Sequence, residues 1–291
     1  MLMAFHKFRV FLEMIKVEHT LFALPFAYIA ALLTEQKIPS LHNILWITLA
    51  MVGARTAAMS INRLVDRHID AKNPRTAGRA LPKGMLGVNE VWLYTVLSFG
   101  LLAVSAYNLS TLALQLFPVA VFFLSFYSFT KRFTWTCHFW CGLALGLAPL
   151  GAWVAITGSF HPAPIILGIG VLLWVAGFDI IYACDDFDFD RREGIFSIPA
   201  KFGIKSALRL STILHILAPI CFLSVGLILN LGLFYFIGVV IATGLLAYQH
   251  MLVVPEDLSR AGLAFFNLNG TLSVTMFAFT IFDILFPFQL L

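Results

Sequence analysis

Long apolar segments follow one another along this chain with only short connections between them, and this pattern limits the folds available to it. A membrane-spanning α-helix needs about 20 consecutive, mostly apolar residues. We predict nine such helices, at approximately 17–34, 43–66, 89–108, 111–130, 138–157, 164–186, 207–229, 231–250 and 263–286. No stretch is left for a separate soluble domain, so we expect residues 1–291 to form a single membrane-embedded, all-α domain.

The composition supports this interpretation. Only 12% of the residues are charged, against about a quarter in soluble domains, while 60% are hydrophobic and the mean hydropathy is +0.91. Most of the surface is therefore expected to face lipid. The N-terminal segment has the features of neither a cleavable signal nor a transit peptide, which favours a bacterial inner membrane. Cys137 and Cys141 are one helical turn apart, but no further ligands complete a metal site, so we do not predict one there.

Basic residues collect in alternate loops. They occur near the N-terminus and after the second, fourth, sixth and eighth predicted helices, whereas the opposite loops contain only Lys37. The positive-inside rule then makes the N-terminus and these basic loops cytoplasmic in a multi-pass protein. The same distribution explains the net charge of +4, so we predict no nucleic-acid partner. No obligate protein partner is indicated either.

The acidic residues concentrate at two predicted helix ends on the cytoplasmic side. Seven of the fifteen lie in "INRLVDRHID" (61–70) and "GFDIIYACDDFDFD" (177–190). On a helix, Asn62, Asp66 and Asp70 share one stripe, with Arg55 lower on the same stripe. A polar residue at every fourth position therefore places these side chains on one face of the predicted helix.

The second stretch has the same organisation if its helix continues through residue 190. Asp179, Asp186 and Asp190 then share a face, while Asp185 and Asp188 point elsewhere and are expected to meet solvent. Asp179 is about two turns inside an apolar segment, where a charge costs about 2.5–3.5 kcal/mol on insertion scales. We therefore expect it to face a cavity and a partner.

Two facing sets of carboxylates would repel each other unless a cation lies between them. A calcium loop of the EF-hand type needs Gly at its sixth position and Glu at its twelfth, where this chain has Arg191 and Ser197. Mg²⁺ fits better, because it binds one or two carboxylates together with water and phosphate oxygens. The pattern predicts a Mg²⁺-diphosphate site.

Basic residues at the same face can bind the diphosphate oxygens. They lie in "NPRTAGRALPKG" (73–84), "YSFTKR" (127–132) and "DRREG" (190–194), and the first of these segments is expected to form an ordered turn over the site. Lys131 is singled out because it follows Tyr127 by one helical turn. The predicted diphosphate-binding residues are Asn62, Arg63, Arg75, Arg79, Lys131, Arg132 and Arg191.

At these motifs the sequence resembles the UbiA superfamily of intramembrane prenyltransferases. The resemblance rests on "NRLVDRHID" (62–70), the three basic segments and "DIIYACDDFDFDRREGIFSIPAKFG" (179–203), and "HTLFALPFAY" (19–28) is similar to bacterial 4-hydroxybenzoate-type members. It implies a nine-helix bundle whose central cavity opens at the cytoplasmic face. It also implies Mg²⁺ bound by Asp66, Asp70, Asp186 and Asp190, with Asp179, Tyr127 and Lys131 as catalytic residues.

The reaction implied by the resemblance is transfer of a polyprenyl chain from its diphosphate to a ring carbon of 4-hydroxybenzoate or a similar aromatic acid, in ubiquinone- or menaquinone-type biosynthesis. Lys16 and Arg55 are candidates to hold the acceptor carboxylate, with Arg63 a further one. Either Asp179 or a diphosphate oxygen could remove the ring proton. A naphthoate acceptor of menaquinone biosynthesis is the main alternative, and the sequence leaves chain length and oligomeric state open.

An ion-coupled transporter is a remote alternative, because acids inside membranes often mark ion paths. The acids of this chain collect at one face, and no polar trail leads from them to the other face. An enzyme is therefore the favoured class.

Overall fold

Helices account for nearly all of the regular structure in the computed structural model of the protein, which describes residues 2–16, 20–255, 257–258, 260, 262 and 264–288. No β-strand occurs among these residues, apart from a single isolated bridge between Val254 and Asp257. The helices are α1 (Leu2–Met14), α2 (Thr20–Leu33), α3 (Leu41–Lys72), α4 (Val88–Leu109), α5 (Thr111–Thr130), α6 (Cys137–Thr157), α7 (Pro162–Ala183), α8 (Phe187–Glu193), α9 (Ile198–Phe202), α10 (Ile204–Ile228), α11 (Leu233–Leu252) and α12 (Asn269–Leu285). A 3₁₀ turn (Cys184–Asp186) joins α7 to α8, and a π-helical turn (Ala264–Leu268) precedes α12.

Eight helical segments in the described part of the chain are long and apolar enough to cross a membrane. They are α3, α4, α5, α6, the continuous segment 162–193, α10, α11 and the segment that ends with α12. These eight match eight of the nine predicted spans, and the all-helical membrane fold is confirmed. The first predicted span, 17–34, corresponds to the shorter α2, whose apolar part is Phe22–Leu33; residues 17–19 lie outside the described part.

The longest helix, α3, passes beyond the end predicted for it. The apolar pattern stops at residue 66, but α3 continues to Lys72 and is about 48 Å long at 1.5 Å per residue. It stops where Asn73 precedes Pro74, because a residue before proline disfavours the helical conformation, and Asn73 has φ −87° and ψ 118°. Asp66 and Asp70 are therefore both held on a regular helix.

The N-terminal helix α1 is not predicted from hydropathy, because it is too short and polar to cross a bilayer. Its buried residues Val10, Phe11 and Met14, with Ile15, pack against α3, α4 and the connection between them, through Leu64, Ala80, Leu86 and Val91. The Nε of Arg63 on α3 also donates to the carbonyl oxygen of Met14 (3.2 Å). The connection 73–87 is thereby held against the end of α3.

Helices α6 and α7 approach each other so closely that their backbones touch. A Cβ atom added to Gly142 would lie 2.4 Å from the carbonyl oxygen of Leu172, and one added to Gly146 would lie 2.5 Å from that of Gly168. Small residues permit such contact between membrane helices. The close crossing brings the start of α6 next to the end of α7.

Asp283 is a buried acidic residue at the opposite end of the bundle, and it caps a helix there. Its carboxylate accepts hydrogen bonds from the backbone N–H groups of Gly232 (2.7 Å) and Tyr235 (3.2 Å), at the start of α11. These are donors that a helix leaves unpaired at its N-terminus. The buried position of Asp283 is therefore explained by its role in capping α11.

Candidate active site

A cavity of about 520 Å³ opens between α3, α5, α6 and α7. One end is lined by five carboxylates, those of Asp66, Asp70, Asp179, Asp186 and Asp190. The other end is lined by apolar side chains of α4, α5 and α6, among them Leu102, Leu109, Ala113, Phe117, Leu145 and Val154. The cavity is thus charged at one end and apolar along the rest of its length.

Asp66 is almost fully buried and is surrounded by donors from α3 and from the turn directly after α5. Its Oδ2 lies 2.6 Å from the Nζ of Lys131 and accepts from the Nδ2 of Asn62 (3.1 Å). Its Oδ1 accepts from the Nη2 of Arg132 (3.0 Å). The end of α5 is therefore tied to the acidic stripe of α3.

Asp70, one turn further along α3, pairs with the loop that follows the helix. Its Oδ1 lies 2.7 Å from the Nη1 of Arg79. Its Oδ2 is buried and has no hydrogen-bond partner among the described residues. A buried oxygen without a donor is costly, so Asp70 retains the capacity to bind a further positive group.

Asp186 connects the two acidic motifs. It accepts from Asn73 Nδ2 (2.9 Å) and Arg75 Nε (3.0 Å), both directly after α3, and the Nη2 of Arg75 bonds its second oxygen. Arg75 also bonds the Tyr182 hydroxyl and lies 4.8 Å from the centre of that ring. Burial acts to lower the pKa of the Arg75 guanidinium, but the hydrogen bond to Asp186 and nearby negative groups raise it above the ordinary value.

The remaining two carboxylates are bonded to a serine and a histidine. Asp190 accepts from the Oγ of Ser197 (2.8 Å), and Asp179 lies 2.7 Å from the Nδ1 of His138. The Nε2 of the same histidine accepts from the backbone N–H of Ile198 (3.3 Å). The adjacent residues Ser197 and Ile198 therefore link Asp190 to the His138–Asp179 pair.

Several other predicted site residues also line the cavity. Arg55, Lys16, Asn62, Arg63 and Tyr127 are among its lining side chains. The Nη2 of Arg55 donates to the carbonyl oxygen of Lys16 (3.3 Å), and the Tyr127 hydroxyl donates to that of Ala58 (3.3 Å). The Arg55 guanidinium and the Lys16 backbone are thus adjacent at the cavity wall.

Two of the predicted diphosphate-binding residues, Arg191 and Arg132, lie outside the cavity lining. Arg191 is exposed, lies outside the cavity lining and has its guanidinium 5.5 Å from the Phe187 ring, so its predicted role is not supported by its position. It follows Asp190 by one position, and 100° of helical rotation turns it away. Arg132 donates hydrogen bonds to Asp66 and to the carbonyl oxygen of Val65. It does not line the cavity. Asp185 and Asp188 are exposed, as expected.

Three residues of the site were not predicted. Asn73 and Ser197 lie within the quoted motifs, each a few positions after an acid of those motifs, although Asn73 bonds the distant Asp186. Their short polar side chains could have been included on that ground. His138 had no such signal, because its partner Asp179 is 41 positions away on another helix.

The carboxylates have the chemistry that Mg²⁺ requires. All are hard oxygen donors, and Asp70 has an unpartnered buried oxygen. No three His, Cys, Asp or Glu side chains converge on one point in the described ranges, and Arg75, Arg79 and Lys131 pair with the acids. A carboxylate offers about four lone-pair sites, so these acids can share their oxygens between a cation and a basic side chain. The residues therefore fit the metal.

A membrane bundle with a charged and an apolar end in one cavity is suited to an amphipathic phosphate substrate. The model of the UbiA prenyltransferase family matches residues 23–271. Two relatives, both 4-hydroxybenzoate octaprenyltransferases, are 33% identical: that of Vibrio cholerae over 244 residues (82% of this chain, 84% of the relative) and that of Nitrosospira multiformis over 261 residues (87% of each).

Solved structures agree with this result. The apo structure of a UbiA homolog from Aeropyrum pernix superposes with a TM-score of 0.83 at 32% identity, covering 91% of this chain and 98% of that one. A UbiA homolog from Archaeoglobus fulgidus bound to GPP and Mg²⁺ has a TM-score of 0.73 at 21% identity, covering 94% and 99%. The protein belongs to the UbiA prenyltransferase family. It is an integral membrane protein, and its enzymatic class is that of a polyprenyltransferase.

Proposed function

We propose that this enzyme transfers a polyprenyl chain from polyprenyl diphosphate to a ring carbon of 4-hydroxybenzoate or a closely similar aromatic acid. The observation that carries the proposal is the single cavity with charges at one end and an apolar wall along the rest. A prenyl diphosphate has the same two parts. The named activity of the relatives agrees with it.

The charged end suits the diphosphate. Arg75, Arg79 and Lys131 provide cationic donors that bind phosphate oxygens, and Asn62 and Arg63 extend this set along α3. Asp66, Asp70, Asp186 and Asp190 would hold Mg²⁺, as the chemistry of their oxygens allows. When bound, Mg²⁺ supplies positive charge that stabilises the departing diphosphate.

The apolar end suits the prenyl chain, which is insoluble in water. Tyr127 and Tyr182 line the cavity close to the charged end, where a cation on the first prenyl carbon would develop. The face of a tyrosine ring attracts such a cation. Apolar walls also keep water away from a carbon that water would otherwise attack.

The acceptor is proposed to lie deeper, between Arg55 and Asp179. Arg55, with Lys16 beside it, would bind the carboxylate, and Asp179, on α7, faces the same cavity about two helical turns before Asp186. The prenyl C–O bond breaks with its electron pair leaving on the diphosphate. The ring carbon then forms the new C–C bond, and the ring proton passes to Asp179.

The wider setting follows from the same proposal. Prenylated aromatic acids are precursors of ubiquinone-type quinones, and a naphthoate acceptor, leading to menaquinone, stays as the alternative. The basic loops indicate that the protein spans a bacterial inner membrane with the charged end of the cavity facing the cytoplasm. We propose one membrane domain over residues 1–291, with the bilayer supplying the prenyl substrate.

The test is an assay of the purified protein with one prenyl diphosphate, Mg²⁺ and a panel of benzoates and naphthoates. We expect a prenylated benzoate, measured by mass spectrometry. An equimolar amount of diphosphate should be released, measured by a phosphate assay after hydrolysis of the diphosphate. Prenylation of a naphthoate instead would select the alternative acceptor. Ion flux in vesicles without any diphosphate release would contradict the proposal.

Arg55→Gln provides a test of the acceptor position. We expect the KM for the aromatic acid to rise about 10- to 100-fold, because a hydrogen bond to a charged group contributes about 1.5–3 kcal/mol. The KM for prenyl diphosphate should change little, since its charged part lies near Asp66. Lys83→Gln, at an exposed residue outside the cavity, is the control. Equal changes in both KM values for Arg55→Gln would contradict the assignment.

A further inference from the structure

His138 is a buried polar side chain at the cavity wall, and both of its ring nitrogens have partners. It is 3% exposed and lies in the first turn of α6. Its Nδ1 lies 2.7 Å from the Oδ2 of Asp179 on α7, and its Nε2 lies 3.3 Å from the backbone nitrogen of Ile198 at the start of α9. Three separate elements therefore meet at one imidazole ring.

These partners determine where the ring carries its proton. The backbone nitrogen of Ile198 can only donate, so Nε2 must accept and cannot itself carry a hydrogen. A neutral imidazole with an accepting Nε2 has its proton on Nδ1, and that proton points at the Asp179 carboxylate. His138 is thus a donor to Asp179 with an orientation fixed by the backbone of α9.

The packing around the pair prevents the ring from turning away. The glycine contacts of α6 and α7 hold the two helices at backbone distance, and the ring is held between Asp179 and Ile198. Asp179 is more exposed, at 30% of its side chain, and faces the cavity. Among the described residues, only His138 forms a hydrogen bond or ion pair with its side chain. One oxygen is therefore fixed while the other stays available.

We propose that His138 is a positioning residue for Asp179. It fixes one carboxylate oxygen, so that the other points at the ring proton of the acceptor, and its donated hydrogen bond stabilises the negative form that a base requires. This inference rests on the proposed function, in which Asp179 accepts the ring proton. His138 itself does not exchange a proton with the substrate.

Two substitutions separate the two hydrogen bonds of the ring. In His138→Asn the amide nitrogen can take the place of Nδ1 and donate to Asp179, but the side chain is too short to reach Ile198. In His138→Gln the amide oxygen can take the place of Nε2 and accept from Ile198, but the bond to Asp179 is lost. A purely structural role in holding α9 would favour Gln, whereas the positioning role favours Asn.

The kinetic test compares both variants with the wild type under saturating substrates. We expect His138→Gln to lower kcat about 10- to 100-fold, as loss of a supporting hydrogen bond does at other sites, with the KM for both substrates nearly unchanged. The kcat of His138→Asn should be at least about tenfold higher than that of His138→Gln. His42→Gln, at an exposed histidine at the far end of the bundle, is the matched control.

An acceptor deuterated at the reacting ring carbon adds a readout that stability does not affect. If His138 supports the base, proton removal becomes slower in His138→Gln, and a primary isotope effect on kcat appears that exceeds the wild-type value. Equal losses in the Asn and Gln variants, or a loss in Gln without an isotope effect, would overturn the proposal. A wild-type protein that prenylates no aromatic acceptor would instead defeat the proposed function.

A spectroscopic measurement tests the geometry without turnover. Protein labelled with ¹⁵N-histidine should show a neutral His138 ring with its proton on Nδ1, the signal being assigned by its loss in His138→Asn. We expect this signal to shift in Asp179→Asn, because the acceptor of that proton changes. A proton on Nε2, or a His138 signal unaffected by Asp179→Asn, would refute the pairing.

Discussion

Asp66→Asn and Asp186→Asn are each expected to lower Mg²⁺-dependent prenyl transfer by at least about 1,000-fold. The exchange removes a negative charge from the charged end of the cavity. A metal that stabilises transition-state charge contributes several kcal/mol, and each 1.4 kcal/mol corresponds to a factor of ten in rate. Turnover is measured as prenylated product per enzyme at saturating substrate concentrations. Because Asn has nearly the same shape as Asp, the fold in detergent should be retained.

Asp188→Asn is the matched control for this experiment. Asp188 belongs to the same acidic stretch but is exposed and lies outside the cavity, so its replacement should leave turnover near the wild-type level. Thermal unfolding in detergent shows whether each variant is folded. Asp66 pairs with Lys131 and Arg132, so some loss of stability is expected there. Near-normal turnover of folded Asp66→Asn or Asp186→Asn would contradict their assignment as metal ligands.

Removal of divalent metal is expected to abolish turnover completely and reversibly. Arg75, Arg79 and Lys131 each form an ion pair with a cavity carboxylate, so much of their charge is already balanced. A diphosphate would therefore lack compensation without an added cation. Dialysis against EDTA should stop diphosphate release, and Mg²⁺ should restore it. Ca²⁺ should restore much less, because it is larger and prefers more ligands at longer distances.

The chelated protein also offers a check that does not depend on turnover. Its thermal unfolding midpoint should rise when prenyl diphosphate and Mg²⁺ are added together, since a ligand that binds only the folded state stabilises it. Asp186→Asn should show a smaller rise. Undiminished product formation in EDTA would rule out a metal requirement.

The fold was largely predictable because apolar length is a local property. Eight predicted spans correspond to helices within a few residues, yet the end of α3 was placed six residues early, at 66 instead of Lys72. Hydropathy measures where a chain can lie in lipid, whereas a helix ends where its backbone is interrupted, here before Pro74. The same limitation explains why α1, which is amphipathic and short, was missed.

The site was predictable where its residues share a helix. Asn62, Asp66 and Asp70 follow the helical period, so their common face could be read from spacing alone, and all three line the cavity. Asp186 and Asp190 were grouped on the assumption of an unbroken helix. The chain instead makes a 3₁₀ turn at Cys184–Asp186 before α8, and both acids still reach the cavity.

Contacts between distant segments could not be predicted. The pairing of His138 with Asp179 depends on how α6 crosses α7, and that crossing depends on glycines whose partners lie on another helix. Arg191 illustrates the converse. Its position in a basic segment suggested a diphosphate role, but it follows Asp190 by one position on a helix and lies outside the cavity lining.

The short N-terminal helix has a practical implication for work on this protein. Two arginines of the cavity wall, Arg63 and Arg55, donate to the carbonyl oxygens of Met14 and Lys16. Truncating the chain before α2 would delete no proposed metal ligand, but it would deprive both guanidinium groups of these acceptors. Removal of the N-terminal residues would thus alter the interior where an aromatic acid is expected to bind, and affinity tags are better fused elsewhere.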